Sequence, residues 1–497
     1  MEAGLLLGID IGTSSSKGVL ATSDGTVVAS AERPHGVSRP GPGRAEHDAI
    51  DVWWADAVAI VRELTSVAGA PIVALCASGI GPCLLPVDDL DRPLRPAILY
   101  GIDTRATAEI DELTGRYGAE AILARGGSAL TSQAVGPKLL WLRRHEAEVW
   151  ARTRRIFMAS SYLVRRLTGA YVLDHHSASQ CDPMYDLGRG TWATSWAAEI
   201  AGDIELPALR WPAEVAGRVS SEAAAATGLP AGIPMATGTI DAWAEATSVG
   251  VRRPGDTMLM YGTTMFLVEV VDDLVPDRTL WGTAGVEPGS RTLAAGMATS
   301  GALTAWFRDL VGGPPFEQLV TEAAGVPAGA HGLVVLPYFA GERTPIFDAD
   351  ARGVILGLTL GHTRGHLYRA LLESTGYGVR HILAALGDAG STPRRIVAVG
   401  GGTKGGLWTQ VVSDITGLSQ EVPAVTIGAA YGDAFLAGVA AGVVDPADDW
   451  TRVAETVVPD ERRRATYDGL FRAYLDLYPA TRDQAHAMAA LQRLGSG

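Results

Sequence analysis

Cysteine is nearly missing from this 497-residue chain, which has three: Cys76, Cys83 and Cys181. Three thiols cannot build a disulfide framework, and none belongs to a CxxC pair, so a reducing cytoplasm is the expected setting. Long apolar runs are lacking too. No segment approaches the roughly 20 apolar residues that span a bilayer. The start, MEAGLLLGIDIG, has no basic region before its short apolar run and reads as a buried strand, not a signal peptide. Positive charge is in deficit: 41 Lys and Arg face 55 Asp and Glu, for a net charge of −14 and a pI near 5.2. That balance argues against nucleic acid or an anionic membrane as partner. It still permits a local anion site, because backbone amides and a metal ion can supply the positive charge there.

What is present suits a soluble globular protein: 47% hydrophobic and 19% charged residues, in a chain long enough for two cores. The opening reads strand, turn, strand (GLLLGID, IGTSSSKG, VLATS), with Asp24-Gly25 as a hairpin signal before TVVASAE. Helical periodicity follows in AIDVWWADAVAIVREL, then strands in PIVALCAS and PAILYG, and mostly helix over 105–170. GLPAGIP introduces a short strand at 235–239. The breaker cluster Arg252-Arg253-Pro254-Gly255 marks the best boundary, with its basic pair read as a solvated linker. Beyond it the opening order returns: strand (TMLMYG), small-residue turn (TTM), strand (FLVEVV). Later come the helix HLYRALLESTGYGVRHILAAL, the strand RRIVAVG, a Gly-rich turn and another helix. Two α/β domains opening alike suggest a duplicated, phosphate-gripping architecture. The expected division is 1–250, 255–445 and a helical tail over 446–497.

Four segments carry chemistry. In Gly8-Ile9-Asp10-Ile11-Gly12-Thr13-Ser14-Ser15-Ser16-Lys17 a carboxylate closes a strand and a hydroxyl-rich turn follows. Glycine lets backbone approach an anion, hydroxyls and amides donate to phosphate oxygens, and the Asp can hold hydrated magnesium. It is no Walker loop, since no glycine precedes Lys17; an ordinary hairpin capped by Asp10 is the plain alternative. In Ala236-Thr237-Gly238-Thr239-Ile240-Asp241-Ala242-Trp243 another acid follows a Gly/Thr turn and leads a helix. Asp241 is suited either to proton abstraction from a hydroxyl or to a plain N-cap. Tyr261-Gly262-Thr263-Thr264 repeats the hydroxyl turn in the second half. Gly400-Gly401-Gly402-Thr403-Lys404-Gly405-Gly406 satisfies GxGxxG, with Glu421 about twenty residues on, as a dinucleotide fingerprint would have it.

Together these segments resemble the FGGY carbohydrate kinase family, from Gly4 to about Gly442, with motif spelling closest to xylulokinases. DIGTSSSK is similar to the first phosphate loop, TGTIDAW to the segment with the catalytic Asp, YGTT to the second phosphate loop and GGGTKGGLW to the adenosine-binding turn. PKLLWLRRHE (137–146) and GERTPIFDADARGVILGLTLGHTRGHLYRALLES (341–374) resemble two further signatures. The resemblance implies two ribonuclease H-like (actin/hexokinase-type ATPase) α/β domains with an active-site cleft between them, and ATP-dependent phosphorylation of a sugar hydroxyl. It implies Asp241 as general base, Asp10 as the magnesium residue, and Thr13, Ser14, Lys17, Gly262, Thr263, Gly301, Gly401, Gly402 and Gly405 along the nucleotide. Gly81, Pro82, Asp103 and Gln133, with Asp241, would face the sugar. The implied partners are ATP, magnesium and a small sugar, with a homodimer left open.

Departures fall in the sugar pocket. Ser78-Gly79-Ile80-Gly81-Pro82 replaces the run that ends in Met-His in xylulokinases, and Ala242 stands where relatives carry Asn or Gln. Gln133 occupies the place of an aromatic contact in glycerol kinases, and Tyr100 that of a Trp. D-xylulose is therefore the first candidate but an inefficient one, with another ketose, a polyol or a sugar acid preferred; restoring Met-His at 81–82 should raise its turnover. Of Trp53-Trp54, at least one belongs to the core. Glu46, His47 and Asp48 either edge the sugar pocket or cap a helix. Asp174-His175-His176 with Cys181-Asp182 has no metal-ligand spacing and reads as loop or interface. Two other readings stand beside the kinase: a Rossmann-type oxidoreductase using Gly400–Gly405, and a catalytically silent actin-like ATP-binding sensor, which would have lost Asp241.

Overall fold

The structure is a computed structural model and describes residues 4–494. Its first sheet begins with β1 (Leu5–Ile11), β2 (Ser15–Ala21) and β3 (Val27–Pro34), two consecutive antiparallel hairpins. Helix α1 (Ala55–Val67) continues from a wider first turn over Ala49–Trp54 and crosses to β4 (Ile72–Gly79), parallel to β1. After the mainly helical stretch 107–168, β5 (Val215–Arg218) and β6 (Pro234–Ala236) complete the order β5-β6-β4-β1-β2-β3. The last of these strands is shorter than the expected 235–239. Thr237 and Gly238 donate instead to Glu214 O and Pro212 O. Gly238 has φ +71°, and a Cβ there would lie 1.9 Å from Ala77 O, so only glycine lets the chain pass β4 so closely. Helix α2 (Asp241–Ser248) follows.

The second sheet repeats the plan. β7 (Asp256–Tyr261) and β8 (Met265–Val271) form the opening hairpin, and β9 (Trp281–Ala284) with β10 (Arg291–Met297) extends it. Helices α3 (Gly301–Leu310) and α4 (Arg364–Asp388) lead to β11 (Arg395–Val399), parallel to β7. Then come α5 (Leu407–Thr416), β12 (Gln420–Pro423), α6 (Ala429–Ala440), β13 (Val453–Val457) and the long helix α7 (Arg464–Leu494). The order is β9-β10-β8-β7-β11-β12-β13. Without the outer strands β5, β9 and β13, both sheets read three antiparallel strands followed by two parallel ones, the duplication that the two similar openings suggest.

Both faces of β1 are buried, which explains its unbroken apolar spelling. Ile9 and Leu7 pack towards Ile60, Leu64 and the fully buried Trp53. The opposite face, with Leu6, Val19 and Ala74, packs on Ala430, Ala434 and Phe435 of α6. A Cβ on Gly8 would fall 1.8 Å from Ala430 O, so α6, late in the chain, seats directly on the first sheet. Arg252 is not the solvated linker residue expected from sequence: it donates to Pro446 O and Asp448 O and lies 4.4 Å over the Phe435 ring, while Arg253 is exposed. Among the described residues no helix is long and apolar enough to cross a membrane.

Candidate active site

Both small-residue turns and the N-terminus of α2 open onto one cleft of about 870 Å³. Asp10, near the end of β1, lines it with Gly12, Thr13, Ser14 and Lys17, and the register of β1 and β2 sets Asp10 opposite Lys17. Asp241 lines it from the first turn of α2, where its Oδ1 accepts from Ala242 N at 2.8 Å. One turn on, Glu245 lines the same wall. From α6, fully buried Asp433 accepts from Ser78 Oγ (2.6 Å) and Ser78 N (3.1 Å), and Ser78 Oγ lies 3.4 Å from Asp10 Oδ1. Four carboxyls thus gather at one end of the first sheet, with Lys17 acting on Asp10 and Glu245. Burial, followed by Asp241, Asp433 and Glu245, raises Asp10 well above the carboxylate range, against the lowering effect of Lys17. Burial pushes Asp241 up to about 6; burial and Asp241 push Glu245 up to about 7; burial pushes Asp433 up to about 8, despite its bonds from Ser78. The excess negative charge fits a cation held there together with phosphate oxygens, since magnesium commonly uses one or two carboxylates plus phosphates and water.

The second hydroxyl turn meets the cleft through Thr264. Gly262 and Thr263 lie outside the lining, where their carbonyls accept from Gly301 N (2.9 Å) and from Ser300 N and Ala302 N (3.1 and 3.0 Å), joining this turn to the start of α3. Gly301 is therefore part of that junction and not of the wall. Of the glycine-rich turn, Gly400, Gly401, Thr403 and Lys404 line the cleft; Gly402 packs on Trp408, and Gly405 lies outside the lining. The chain contains only three lysines. Lys17 and Lys404 face the cleft from the two halves, and Lys138 is buried with its ammonium 2.5 Å from Ser132 O.

At the other end the wall is made by Gly81, Pro82, Tyr100, Gln133, Trp243 and Arg343. Asp103 does not belong to it. It is 1% exposed and fully engaged, accepting from Ala45 N (2.7 Å) and from Arg105 Nε and Nη2 (2.9 and 2.7 Å). Glu46 is taken by Arg95 and Arg105, and Asp48 alone caps the following helix, through Ile50 N and Asp51 N. The space beside Gly81 is filled: a Cβ there would come within 2.6 Å of the Ile240 side chain. Restoring Met-His at 81–82 therefore requires the Ile240 side chain to move. His176 stacks on Trp243 (3.8 Å) and its Nδ1 bonds Ala284 O, an interface role.

Sequence reading missed Glu245, Asp433 and Arg343. The four-residue spacing of Asp241 and Glu245 on a helix was a usable signal; Asp433, 355 residues beyond its partner Ser78, offered none. The Gly400–Gly405 run does join β11 through α5 to parallel β12, the unit a dinucleotide fingerprint needs. Glu421, however, accepts from Arg395 Nε at 2.7 Å, and the turn opens into the cleft of Asp10 and Asp241.

Residues 5–248 match the model for the N-terminal domain of the FGGY family of carbohydrate kinases, and residues 257–441 match that for its C-terminal domain. The chain is 29% identical to the xylulose kinase of Escherichia coli (strain K12) over 486 residues, 95% of this chain and 98% of that one. It is 32% identical to the glycerol kinase of Trichlorobacter lovleyi over 455 residues, 88% and 90% of the two chains. The crystal structure of xylulose kinase from Rhodospirillum rubrum superimposes with a TM-score of 0.90 at 35% identity, covering 97% of this chain and 100% of that one. The paired sheets are the two-domain actin/hexokinase-type ATPase fold, and neither the oxidoreductase nor the silent-sensor reading is favoured.

Proposed function

The chain belongs to the FGGY family of carbohydrate kinases and is itself a carbohydrate kinase, and from that premise we propose that it transfers the γ-phosphoryl group of ATP to a hydroxyl of a pentulose or related ketose, polyol or sugar acid. Asp241 is the general base. The observation that carries this is its place at the N-terminus of α2, facing a cleft bounded by both hydroxyl turns and the glycine-rich turn. With its carboxyl pushed up only to about 6, Asp241 is ionised at neutral pH yet basic enough to take a hydroxyl proton as the oxygen attacks phosphorus. Thr13, Ser14 and Lys17 on one side and Thr264, Gly401 and Lys404 on the other bound the space for the triphosphate and nucleoside. Magnesium, with Asp10 as its protein contact, would neutralise the phosphates. Phosphoryl transfer needs mainly positioning and charge neutralisation, which these parts supply.

The acceptor is framed by Gly81, Pro82, Tyr100, Gln133, Ala242 and Arg343. Relatives are named xylulose kinases, and D-xylulose is the first candidate. Gly81, Pro82 and Ala242 offer it no side-chain donor, so it is expected to be a poor substrate beside another ketose, polyol or sugar acid. An ADP-release screen over these classes with magnesium-ATP tests the assignment. Asp241→Asn should lower kcat with the best acceptor by about 10² or more while nucleotide still binds; near-normal turnover would remove Asp241 from this role.

A further inference from the structure

His35, just beyond β3, touches the first hydroxyl turn twice and never reaches the cleft. Its backbone N–H donates to Ser14 O at 2.9 Å, and its ring Nε2 lies 3.1 Å from Gly12 O. Its Nδ1 lies 2.8 Å from Asp56 Oδ2 on α1, which also accepts from Ser16 Oγ at 2.8 Å. The ring is nearly enclosed, with 7% of the side chain exposed. Both ring nitrogens of His35 are engaged, one at the Gly12 carbonyl and the other at the Asp56 carboxylate, so the ring is pinned from both edges.

The groups facing His35 are Asp56 from α1, Ser16 from β2, the turn carbonyl of Gly12, and His47 edge-on at 5.1 Å. His47 is neutral: Trp53 Nε1–H donates to its Nδ1 (3.2 Å), and burial, then His35, pushes it down to about 4. The arrangement has a direct effect on the turn. Because His35 lies outside the cleft lining, the Gly12 and Ser14 carbonyls bonded to it are turned from the space where phosphate oxygens would be repelled.

We propose that His35 is a positioning residue for the phosphate donor: anchored on Asp56, it fixes the Gly12–Ser14 turn in its anion-binding form. This rests on the reading of that turn as the ATP phosphate site, so wild-type turnover with ATP is measured first and tests that reading separately. His35→Leu should raise the KM for ATP by about tenfold or more, the scale of a lost hydrogen bond to a charged group, and leave the KM for sugar unchanged. His35→Gln, which keeps one donor, should recover part of the loss. Asp56→Ala, which removes the carboxylate that anchors the ring, should raise the KM for ATP in the same direction and again spare the KM for sugar. A folded His35→Leu enzyme with unchanged KM for ATP overturns the proposal, as does a KM for sugar that rises in step with it.

Discussion

Ile240 and Gly81 form a matched pair: the branched side chain at 240 takes the volume that a side chain at 81 would need. A Gly81→Met, Pro82→His enzyme should therefore be less active than wild type on every acceptor, because an overpacked wall costs about 1–3 kcal/mol and shifts its neighbours. Adding Ile240→Ala should restore activity and raise kcat/KM for D-xylulose above the wild-type value; steady-state kinetics of the three enzymes checks this. Asp241 gives a second expectation at this scale. As the proposed base it must be ionised, so activity is expected to fall as pH drops through its raised value, by about tenfold per unit below about 6. A pH–rate profile with no acid limb near there would argue for another base. The individual acids were unevenly legible. Asp10 and Asp241 stand out because each ends an apolar run beside a small-residue turn, whereas Asp103, read as a substrate residue, is engaged by Arg105, two residues on, and by Ala45 N, a contact no local spelling reveals.

α6 is the element whose role is least visible in sequence. Its residues are buried on nearly every side because β1 and β4 cover one face and α2 another. Periodicity cannot say which distant strand supplies that cover, whereas the hairpins β1–β2 and β7–β8 are local and read off directly from apolar runs flanking hydroxyl turns. The seating of α6 brings Asp433 onto Ser78, and its carboxyl is pushed up to about 8 by burial. A carboxyl that binds its proton more tightly folded than unfolded weakens folding as pH rises from about 4 towards 8, by up to about 1.4 kcal/mol per unit. His47 and His176, pushed down by burial to about 4 and about 3, act in the opposite sense only below about 6.5. Between pH 6.5 and 8 the ligand-free enzyme should thus lose thermal stability with rising pH, and Asp433→Asn should flatten that slope; identical slopes in the two enzymes would mean that Asp433 is already ionised.

At the scale of the whole molecule, the phosphate-type turns belong to different sheets, and the segments 249–255 and 424–428 connect the second sheet to α2 and α6 on the first. Binding of sugar and nucleotide should draw the sheets together about these connections, excluding water from the transferring group and suppressing idle ATP hydrolysis. Small-angle scattering should show a smaller radius of gyration with both ligands than with neither; an unchanged radius would argue for a rigid cleft. The scarcity of lysine has a practical consequence of another kind. Of the three in the chain, Lys138 is enclosed, and the two remaining lysines line the cleft from its two halves. An amine-directed reagent, which on most proteins scatters over the whole surface, meets here, besides the α-amine, two lysine side chains that both line the cleft proposed for the nucleotide. The enzyme is in effect pre-labelled for its own active site: the extent of modification, read by intact mass, should fall as ATP occupies the cleft, giving a measure of occupancy without any engineered probe.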